Sequence, residues 1–126
     1  MAIIGIGTDL VKISRIRRIF KKYPKGLAER ILHENELKRM RDLKVPIAYI
    51  AKRFSAKEAV AKALGTGIAH GVAFQEIEIT NNDNGQPLLT LHGRTLAVAN
   101  ELGVKNTFIS LSDEREYAIA YVVLES

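Results

Sequence analysis

The chain has 126 residues, which is the size of one domain, and 47% of them are hydrophobic, enough for a single core. It contains no cysteine, which excludes disulfide bonds and thiolate metal sites. Its formal net charge is +5, and no stretch approaches the roughly 20 apolar residues that span a bilayer, so we expect a cytoplasmic protein without membrane contact.

The chain begins with a predicted strand and a predicted helix. The stretch AIIGIGTDL is apolar, β-branched and punctuated by glycine, which predicts a short buried strand running into Asp9. From Lys12 onward, isoleucine and aromatic residues recur at helical spacing with basic residues between them. Pro24 and Gly26 are expected to end this helix.

Positive charge is concentrated in and just after this first helix. Between Leu10 and Ala28 there are seven basic residues and no acidic ones, so the rest of the chain is net negative. The seven are Lys12, Arg15, Arg17, Arg18, Lys21, Lys22 and Lys25. Such a patch favours a polyanionic partner, such as nucleic acid, an anionic membrane, a phosphate-rich ligand or an acidic protein. A solvated helix face is the alternative.

Two more helices, then two hairpins with a helix between them, are predicted in the rest of the chain. The helices are expected over about 34–44 and 46–65. VAFQEIEIT, the turn NNDNGQP and PLLTLHG predict a hairpin, and RTLAVANELG a short helix with Gly103 as its C-terminal cap. NTFISLS and YAIAYVVLE predict a closing hairpin. The order β-α-α-α-β-β-α-β-β is typical of an α+β domain with a mainly antiparallel sheet packed with helices.

One carboxylate stands out in the longest predicted helix. At about 100° per residue, a helix over 46–65 places most of its apolar side chains on one face, and Glu58 falls in the middle of it, within about 20° of Ile47. Arg53 and Lys57 are expected to lie off that face. An ionised carboxylate against a core is costly unless a cation or hydrogen-bond donors meet it. We therefore favour a buried, partnered Glu58, for which a metal ion is the strongest partner.

Two structural interpretations of Glu58 compete with this one. Ser55 and Glu58 fit a capping box, which would begin a helix at Ser55. Alternatively, Glu58 could form a surface ion pair with Lys62 one turn later in an exposed helix.

A second carboxylate, Asp9, follows the first strand and precedes the basic helix. A helix N-cap is its structural alternative. Two carboxylates with Lys and Arg nearby are typical of a magnesium–phosphate site. The sequence has no glycine-rich phosphate loop and no visible nucleophile with its base. His33, His70 and His92 lie far apart without metal-ligand spacing, and we expect them to be surface or loop residues.

Four segments carry a family resemblance over essentially the whole chain, residues 1–126. GIGTDLVKISRI, RFSAKEAVAKALGTGI, NGQP and SLSDEREYAIAYVV together resemble the holo-acyl-carrier-protein synthases, the small class of 4′-phosphopantetheinyl transferases. Such enzymes move the phosphopantetheine arm of coenzyme A onto a serine of apo-acyl carrier protein, releasing adenosine 3′,5′-bisphosphate. The resemblance implies this Mg²⁺-dependent activity, in fatty acid biosynthesis, and the fold of that family.

The resemblance also implies roles for residues near the reacting centre. Asp9 and Glu58 match the family's two magnesium ligands. Lys62 matches a lysine that contacts the coenzyme A phosphates. The attacking serine needs a general base. Glu58, directly or through a metal-bound water, is the leading candidate, and the sequence does not decide between these routes.

Further matches concern binding. Arg53 matches a position at the nucleotide end of coenzyme A, and the segment around Gly85 and Pro87 lies near the adenine in that family. Arg15 matches a basic residue that docks the acidic carrier protein. The family is usually a homotrimer with active sites between neighbouring subunits, which implies that another chain completes the Asp9/Glu58 site.

The chain departs from the family pattern at two places. Asp113 stands where many members carry a histidine that helps to bind coenzyme A, so its role is open. Gln86 occupies a turn position where lysine is frequent.

The alternative function from another class is a nucleic-acid-binding module using the basic helix, but it leaves Glu58 and Asp9 unexplained and lacks an aromatic stacking platform. A non-catalytic carrier-protein binder is a third hypothesis, against which the metal ligands argue.

Overall fold

The computed structural model describes residues 1–126 and contains five α-helices, a three-stranded sheet and a two-stranded sheet, all of whose strand pairs are antiparallel. The elements in chain order are β1 (Ile3–Lys12), α1 (Ile13–Lys22), α2 (Pro24–Ile31), α3 (Glu34–Met40), α4 (Ile47–Ala63), β2 (Ile77–Asn81), β3 (Pro87–Leu91), α5 (Gly93–Leu102), β4 (Asn106–Asp113) and β5 (Tyr117–Glu125). The predicted α+β class with mainly antiparallel pairing is confirmed. None of the helices is both long and apolar enough to cross a bilayer.

The larger sheet has the strand order β1-β5-β4. Alternate side chains of its central strand point toward the helices and form part of the core: Ala118, Ala120, Val122 and Leu124. The other face of this sheet is not covered by any helix of the chain, and several of its large apolar side chains are exposed: Ile6, Leu10, Phe108, Ile119 and Tyr121.

Helix α4 lies directly on β1 because two glycines remove the side chains that would separate them. A Cβ atom on Gly5 would lie 1.9 Å from the carbonyl oxygen of Ala63, and one on Gly7 would lie 1.9 Å from that of Ala59. Only glycine permits this approach of strand backbone to helix backbone. The contact fixes how the rest of β1 is placed against α4.

The first half of the chain contains one helix more than the sequence predicts. Pro24 and Gly26 were expected to end the first helix, and α1 does end before them, with Tyr23 as its C-cap. Pro24, however, opens α2 and Gly26 lies inside it. Proline is well suited to a first helical turn because its missing N–H would have no partner there. The helix predicted over 34–44 is shorter and ends at Met40.

The second half follows the prediction with shifted boundaries. The strand predicted from VAFQEIEIT begins only at Ile77, because Phe74–Glu76 form a turn of 3₁₀ helix. The returning strand ends at Leu91, and α5 begins at Gly93. Gly103 caps α5 in the left-handed conformation with φ of 85°, as predicted.

Candidate functional site

Asp9 lies in the middle of β1 and faces α4. It is not a helix cap, since the N-cap of α1 is Lys12, so that structural interpretation was wrong. Gly7, two residues earlier on the same face, lets the strand approach the helix closely enough for Ser55 Oγ to donate a hydrogen bond to the Asp9 carbonyl oxygen at 2.7 Å. The Asp9 side chain is therefore held beside the central part of α4.

Lys62 also pairs with Asp9. Its Nζ lies 3.1 Å from Asp9 Oδ1 and donates a second hydrogen bond to the Thr8 carbonyl oxygen at 2.9 Å. The alternative in which Lys62 forms its ion pair with Glu58 is not what the structure shows. The Lys62 side chain remains half exposed, so it can also reach a ligand at this place.

Glu58 lies in a different environment from the one predicted. Helix α4 is buried on most of its circumference, and Glu58 belongs to its partly open side, so the expectation that it sits in the middle of the core face was wrong. The reason is that α4 has sheet, helices and hairpin around it, so a single apolar stripe does not describe it. The capping box at Ser55 was also wrong, since α4 runs without a break from Ile47 to Ala63.

Three other predicted site residues, Asp9, Lys62 and Arg15, lie close enough to Glu58 to affect its pKa. Burial raises the pKa of the Glu58 carboxyl, and the negative charge of Asp9 raises it further, while Lys62 and Arg15 act in the opposite direction. Two carboxylates and two cations are thus close enough to influence one another, and the pKa of Glu58 is raised although both cations act against that. This is an arrangement that attracts a cation or takes up a proton.

Arg15 contributes to this site from α1. It lies on the exposed side of that helix, whereas Ile13 and Ile16 are buried. None of the seven basic residues between Leu10 and Ala28 forms an ion pair within the chain, so the patch presents unneutralised positive charge to its surroundings.

Arg53 lies in a separate cavity of about 380 Å³ on another side of α4. Its Nη2 donates a hydrogen bond to Asn81 Oδ1 at 3.1 Å, and its guanidinium stacks on the Tyr49 ring at 4.0 Å from the centroid. Its Nε is buried without a hydrogen-bond partner. Arg39 is a second cation among the residues that line the cavity. The cavity therefore offers positive charge and amide groups to an anionic or nucleotide-like ligand.

Gly85 and Pro87 are connected to Arg53 through Asn81. The Asn81 side chain, which accepts from Arg53, donates through Nδ2 to the Gly85 carbonyl oxygen at 3.0 Å, and Asn81 pairs with Pro87 in the β2–β3 ladder. The predicted nucleotide-end residues, Arg53, Gly85 and Pro87, thus form one group.

This nucleotide group and the catalytic group around Glu58 point in different directions from α4. Arg53 and Glu58 are five residues apart on that helix, which directs them about 140° from each other around its axis.

A buried charge network of Lys57, Glu36 and Arg53 was not predicted from the sequence. Lys57, expected off the apolar face, is completely buried. Its Nζ donates to the Ile31 carbonyl oxygen at 2.7 Å, to the Phe74 carbonyl oxygen at 3.1 Å and to a carboxylate oxygen of Glu36. Burial lowers the pKa of Lys57, although its Glu36 partner acts against that. Arg53, also expected off the face, is buried too, with Nε 4.0 Å from Glu36 Oε2.

The two departures from the family pattern have ordinary surroundings. Asp113 lies at the end of β4, with Oδ1 3.5 Å from Lys52 Nζ. Gln86 accepts a hydrogen bond from the Asn82 side chain at 3.1 Å within the hairpin turn.

Two of the three histidines meet in space. His70 lies in a turn, as expected. His33 and His92, which were expected to be unrelated surface or loop residues, stack with 4.7 Å between ring centroids, and both approach Glu78. No local sequence pattern indicates this cluster, because its residues come from three separate segments of the chain.

Comparisons with known proteins identify the family of the chain. Residues 5–122 match the model of the 4′-phosphopantetheinyl transferase superfamily. The chain is 51% identical to the holo-[acyl-carrier-protein] synthase of Vibrio vulnificus, over the whole of both chains. It is similar to the crystal structure of holo-[acyl-carrier-protein] synthase from Neisseria meningitidis, with 41% identity and a TM-score of 0.94 over 99% of this chain and 100% of that one.

A further similar structure carries a ligand. The holo-[acyl-carrier-protein] synthase of Helicobacter pylori in complex with coenzyme A is 32% identical, with a TM-score of 0.84 over 95% of this chain and 99% of that one. The match of sequence and fold extends over all the elements that carry the site. The chain therefore belongs to the 4′-phosphopantetheinyl transferase superfamily and, within it, to the holo-[acyl-carrier-protein] synthases.

Proposed function

We propose that this protein transfers the 4′-phosphopantetheine group of coenzyme A to a serine of apo-acyl carrier protein, giving holo-acyl carrier protein and adenosine 3′,5′-bisphosphate, in the cytoplasm and in support of fatty acid biosynthesis. The observation that carries the proposal is the juxtaposition of Asp9, Glu58, Lys62 and Arg15 on a chain of this family. The coenzyme A complex of a relative supports the choice of donor.

Asp9 and Glu58 fit a magnesium ion. Asp9 contributes to raising the pKa of Glu58, and hard carboxylate oxygens are the protein ligands that Mg²⁺ prefers, usually one or two together with phosphate and water. When bound there, Mg²⁺ would neutralise the negative charge that develops on the phosphate oxygens during transfer.

The chain's own residues account for the remaining steps. The serine oxygen forms a bond to the β-phosphorus of coenzyme A, and the bond from that phosphorus to the oxygen of the departing adenosine bisphosphate breaks. Glu58 takes the serine proton, directly or through a water molecule, and its raised pKa brings it closer to the range suited to a general base. Lys62 places positive charge beside the reacting phosphate and so stabilises the transition state.

Arg53 and its neighbours are assigned to the nucleotide end of the donor. The Arg53 guanidinium lines the cavity, and Asn81 links it to the turn that contains Gly85. We infer that this group binds the phosphate and adenine of coenzyme A, with Pro87 as part of the adenine contact.

We also propose a homotrimer whose sites lie between subunits. Two observations support it. First, the catalytic group and the nucleotide group point about 140° apart on α4, so one coenzyme A molecule is served more readily by the catalytic group of one copy and the nucleotide group of another. Second, the sheet face with Ile6, Phe108 and Tyr121 exposes a large apolar area of the kind that marks an interface. Sedimentation of the purified chain tests the assembly, and a monomer with full activity would contradict it.

The basic helix α1 is assigned to the carrier protein. Its unpaired cations would steer and orient an acidic partner more than add raw affinity. Arg15 is the link between this surface and the reacting centre, since its charge is felt at Glu58.

The test is incubation of the protein with coenzyme A, Mg²⁺ and apo-acyl carrier protein, followed by intact mass measurement of the carrier. A gain of one phosphopantetheine group is expected. Glu58→Gln and Asp9→Asn should largely abolish the gain while circular dichroism shows the fold unchanged. If a folded preparation leaves the carrier mass unchanged under these conditions, the proposed transfer is wrong.

A further inference from the structure

His33, Glu78 and His92 form a cluster of potential metal ligands outside the Asp9/Glu58 site. One ligand atom of each lies within 4.8 Å of those of the other two. His92 Nε2 lies 2.9 Å from Glu78 Oε1, and His33 Nδ1 lies 3.9 Å from Glu78 Oε2. Zinc bound tetrahedrally at its usual distances to nitrogen and oxygen holds its ligand atoms about 3.3–3.6 Å apart, so the side chains must shift to bind one ion. His33 Nδ1 must also exchange the hydrogen bond that it accepts from the Asn35 backbone N–H at 3.1 Å for the ion.

The His92 imidazole is not required by the secondary structure around it. His92 stands at the N-cap position of α5, yet its side chain makes no capping hydrogen bond. The cap is provided by Glu76, whose carboxylate accepts from the backbone N–H groups of Arg94 and Thr95 and from the Thr95 hydroxyl. His92 is therefore free to turn toward Glu78.

The Glu78 carboxylate is held in place by a second contact. It is nearly buried, and while Oε1 meets His92, Oε2 accepts a hydrogen bond from Asn35 Nδ2 at 3.0 Å. An amide donor behind a ligating carboxylate is the usual outer shell of a metal site, since it fixes the direction of the free lone pairs. Asn35 thus positions Glu78 between the two imidazoles.

We propose that His33, Glu78 and His92 bind a divalent transition-metal ion of the zinc class, separately from the magnesium site. The two imidazoles and one carboxylate are a donor set that zinc accepts with a water in the fourth position. The imidazoles should make this site prefer zinc over Mg²⁺, because imidazole nitrogen suits transition metals and Mg²⁺ prefers oxygen ligands. The Asp9/Glu58 pair, which has only carboxylate oxygens, lacks this preference for zinc. The stacked rings must separate for both to point at one ion, and His92, with a 40% exposed side chain, has the freedom to turn.

Metal binding here would join three elements at the edge of the nucleotide cavity. His33 is the N-cap of α3, Glu78 lies on β2 and His92 precedes α5. Glu78 and Asn35 also line the cavity that holds Arg53. We therefore expect the ion to raise the melting temperature of the chain, because it binds the folded arrangement and not the unfolded one.

The experiment uses the chain without a histidine tag, stripped of metal, and measures binding of Zn²⁺ by calorimetry and of Co²⁺ by its visible absorption, both in excess Mg²⁺. One equivalent is expected to bind, with the intense Co²⁺ spectrum of a four-coordinate site and a rise in melting temperature. His92→Gln should weaken binding by at least about tenfold, since even outer-shell changes cost that much. His70→Gln, a matched change at a histidine outside the cluster, should leave it unaltered.

Two further variants distinguish the possible failures. Glu78→Gln should also lose the ion, and circular dichroism establishes whether it is folded. Asp9→Asn should retain Zn²⁺, because it alters only the magnesium site. The proposal is wrong if the wild-type chain binds no Zn²⁺ or Co²⁺ in excess Mg²⁺, if His92→Gln binds as tightly as His70→Gln, or if Asp9→Asn removes the ion. Absence of binding would mean that the cluster is a hydrogen-bonded contact and a cap of α3 only.

Discussion

The close contact between β1 and α4 gives a prediction for Gly7→Ala. The added Cβ atom would lie 1.9 Å from the Ala59 carbonyl oxygen, whereas real Cβ atoms essentially never come within 3.0 Å of a neighbour. Strand and helix must therefore separate locally by at least about 1.1 Å, the difference between these two distances. Overpacking of this kind costs about 1–3 kcal/mol of stability.

The same displacement should reduce turnover by more than the lost stability explains. Asp9 follows Gly7 on the same face of β1 and would be carried away from Glu58, and a misplacement of about 1 Å can cost on the order of 10²-fold in rate. The rate must be measured under conditions in which urea unfolding shows the variant to be folded, so that the two effects are separated.

Gly26→Ala is the matched control for this experiment. Gly26 lies inside α2, and the nearest atom to an added Cβ is Tyr23 Cβ at an ordinary 3.7 Å. Removing a glycine from a helix there should raise stability by about 0.5–1 kcal/mol. If Gly7→Ala unfolds within about 0.5 kcal/mol of the wild type, the range of ordinary surface changes, and transfers phosphopantetheine at the same rate, the close contact does not position Asp9.

Three further predictions test the charged residues. Lys57→Met leaves the buried Glu36 carboxylate with only the Arg53 guanidinium, 4.0 Å away, as a cation. It should cost about 3 kcal/mol in urea unfolding, the lower end of the range for a broken buried ion pair; a loss below about 1 kcal/mol, the ordinary value of a single hydrogen bond, would contradict the assigned network. Because burial raises the pKa of Glu58, the metal-free folded chain binds that proton more tightly than the unfolded chain, so its stability falls as pH rises from the ordinary carboxyl pKa through the raised folded value. Glu58→Gln should therefore be more stable than wild type above that window and equal to it below, and a difference that does not change with pH would refute the assignment. Arg15→Glu should raise the KM for the carrier protein while the Kd for coenzyme A is preserved, whereas Lys105→Glu, the same charge change on an exposed residue outside the basic patch, should alter neither; equal effects would show that only net charge matters.

Much of the fold follows from local patterns in the sequence. Alternation and β-branching identified the strands, and Gly103 marked the end of α5, because these signals depend on backbone geometry that neighbouring residues determine. The extra helix α2 was missed for a local reason as well. Pro24 and Gly26 are helix breakers on average, but a proline at a first turn begins a helix as well as it ends the preceding one.

The surroundings of α4 could not be derived in the same way. A single apolar face is the expectation for a helix lying on one layer, and α4 instead has partners on several sides. A signal for Lys57 did exist, since Ile50 and Leu64 lie seven residues before and after it and are also buried. What the spacing cannot supply is the partner, because Glu36 comes from a helix that no local pattern connects to this one.

The convergence of His33, Glu78 and His92 illustrates the same limit more sharply. Each residue looks ordinary in its own segment, and their meeting depends on how the α3 N-terminus and the β2–β3 hairpin pack together. The motif around Asp9 and Glu58 was accessible because family resemblance substitutes for that long-range information. A cluster without such a motif is visible only in three dimensions.

The charged residues of α4 together favour a functional role for Glu58. Arg53 donates to Asn81, and Lys57 donates to Glu36 and to carbonyl oxygens, so both buried cations have partners that offset their cost of burial. Lys62, which is half exposed, pairs with Asp9. Glu58 forms no ion pair within the chain, and its raised pKa shows that its surroundings disfavour the ionised form. A carboxylate kept at a cost to stability, beside a second carboxylate and two cations, fits the proposed role of Glu58 as a metal ligand and general base.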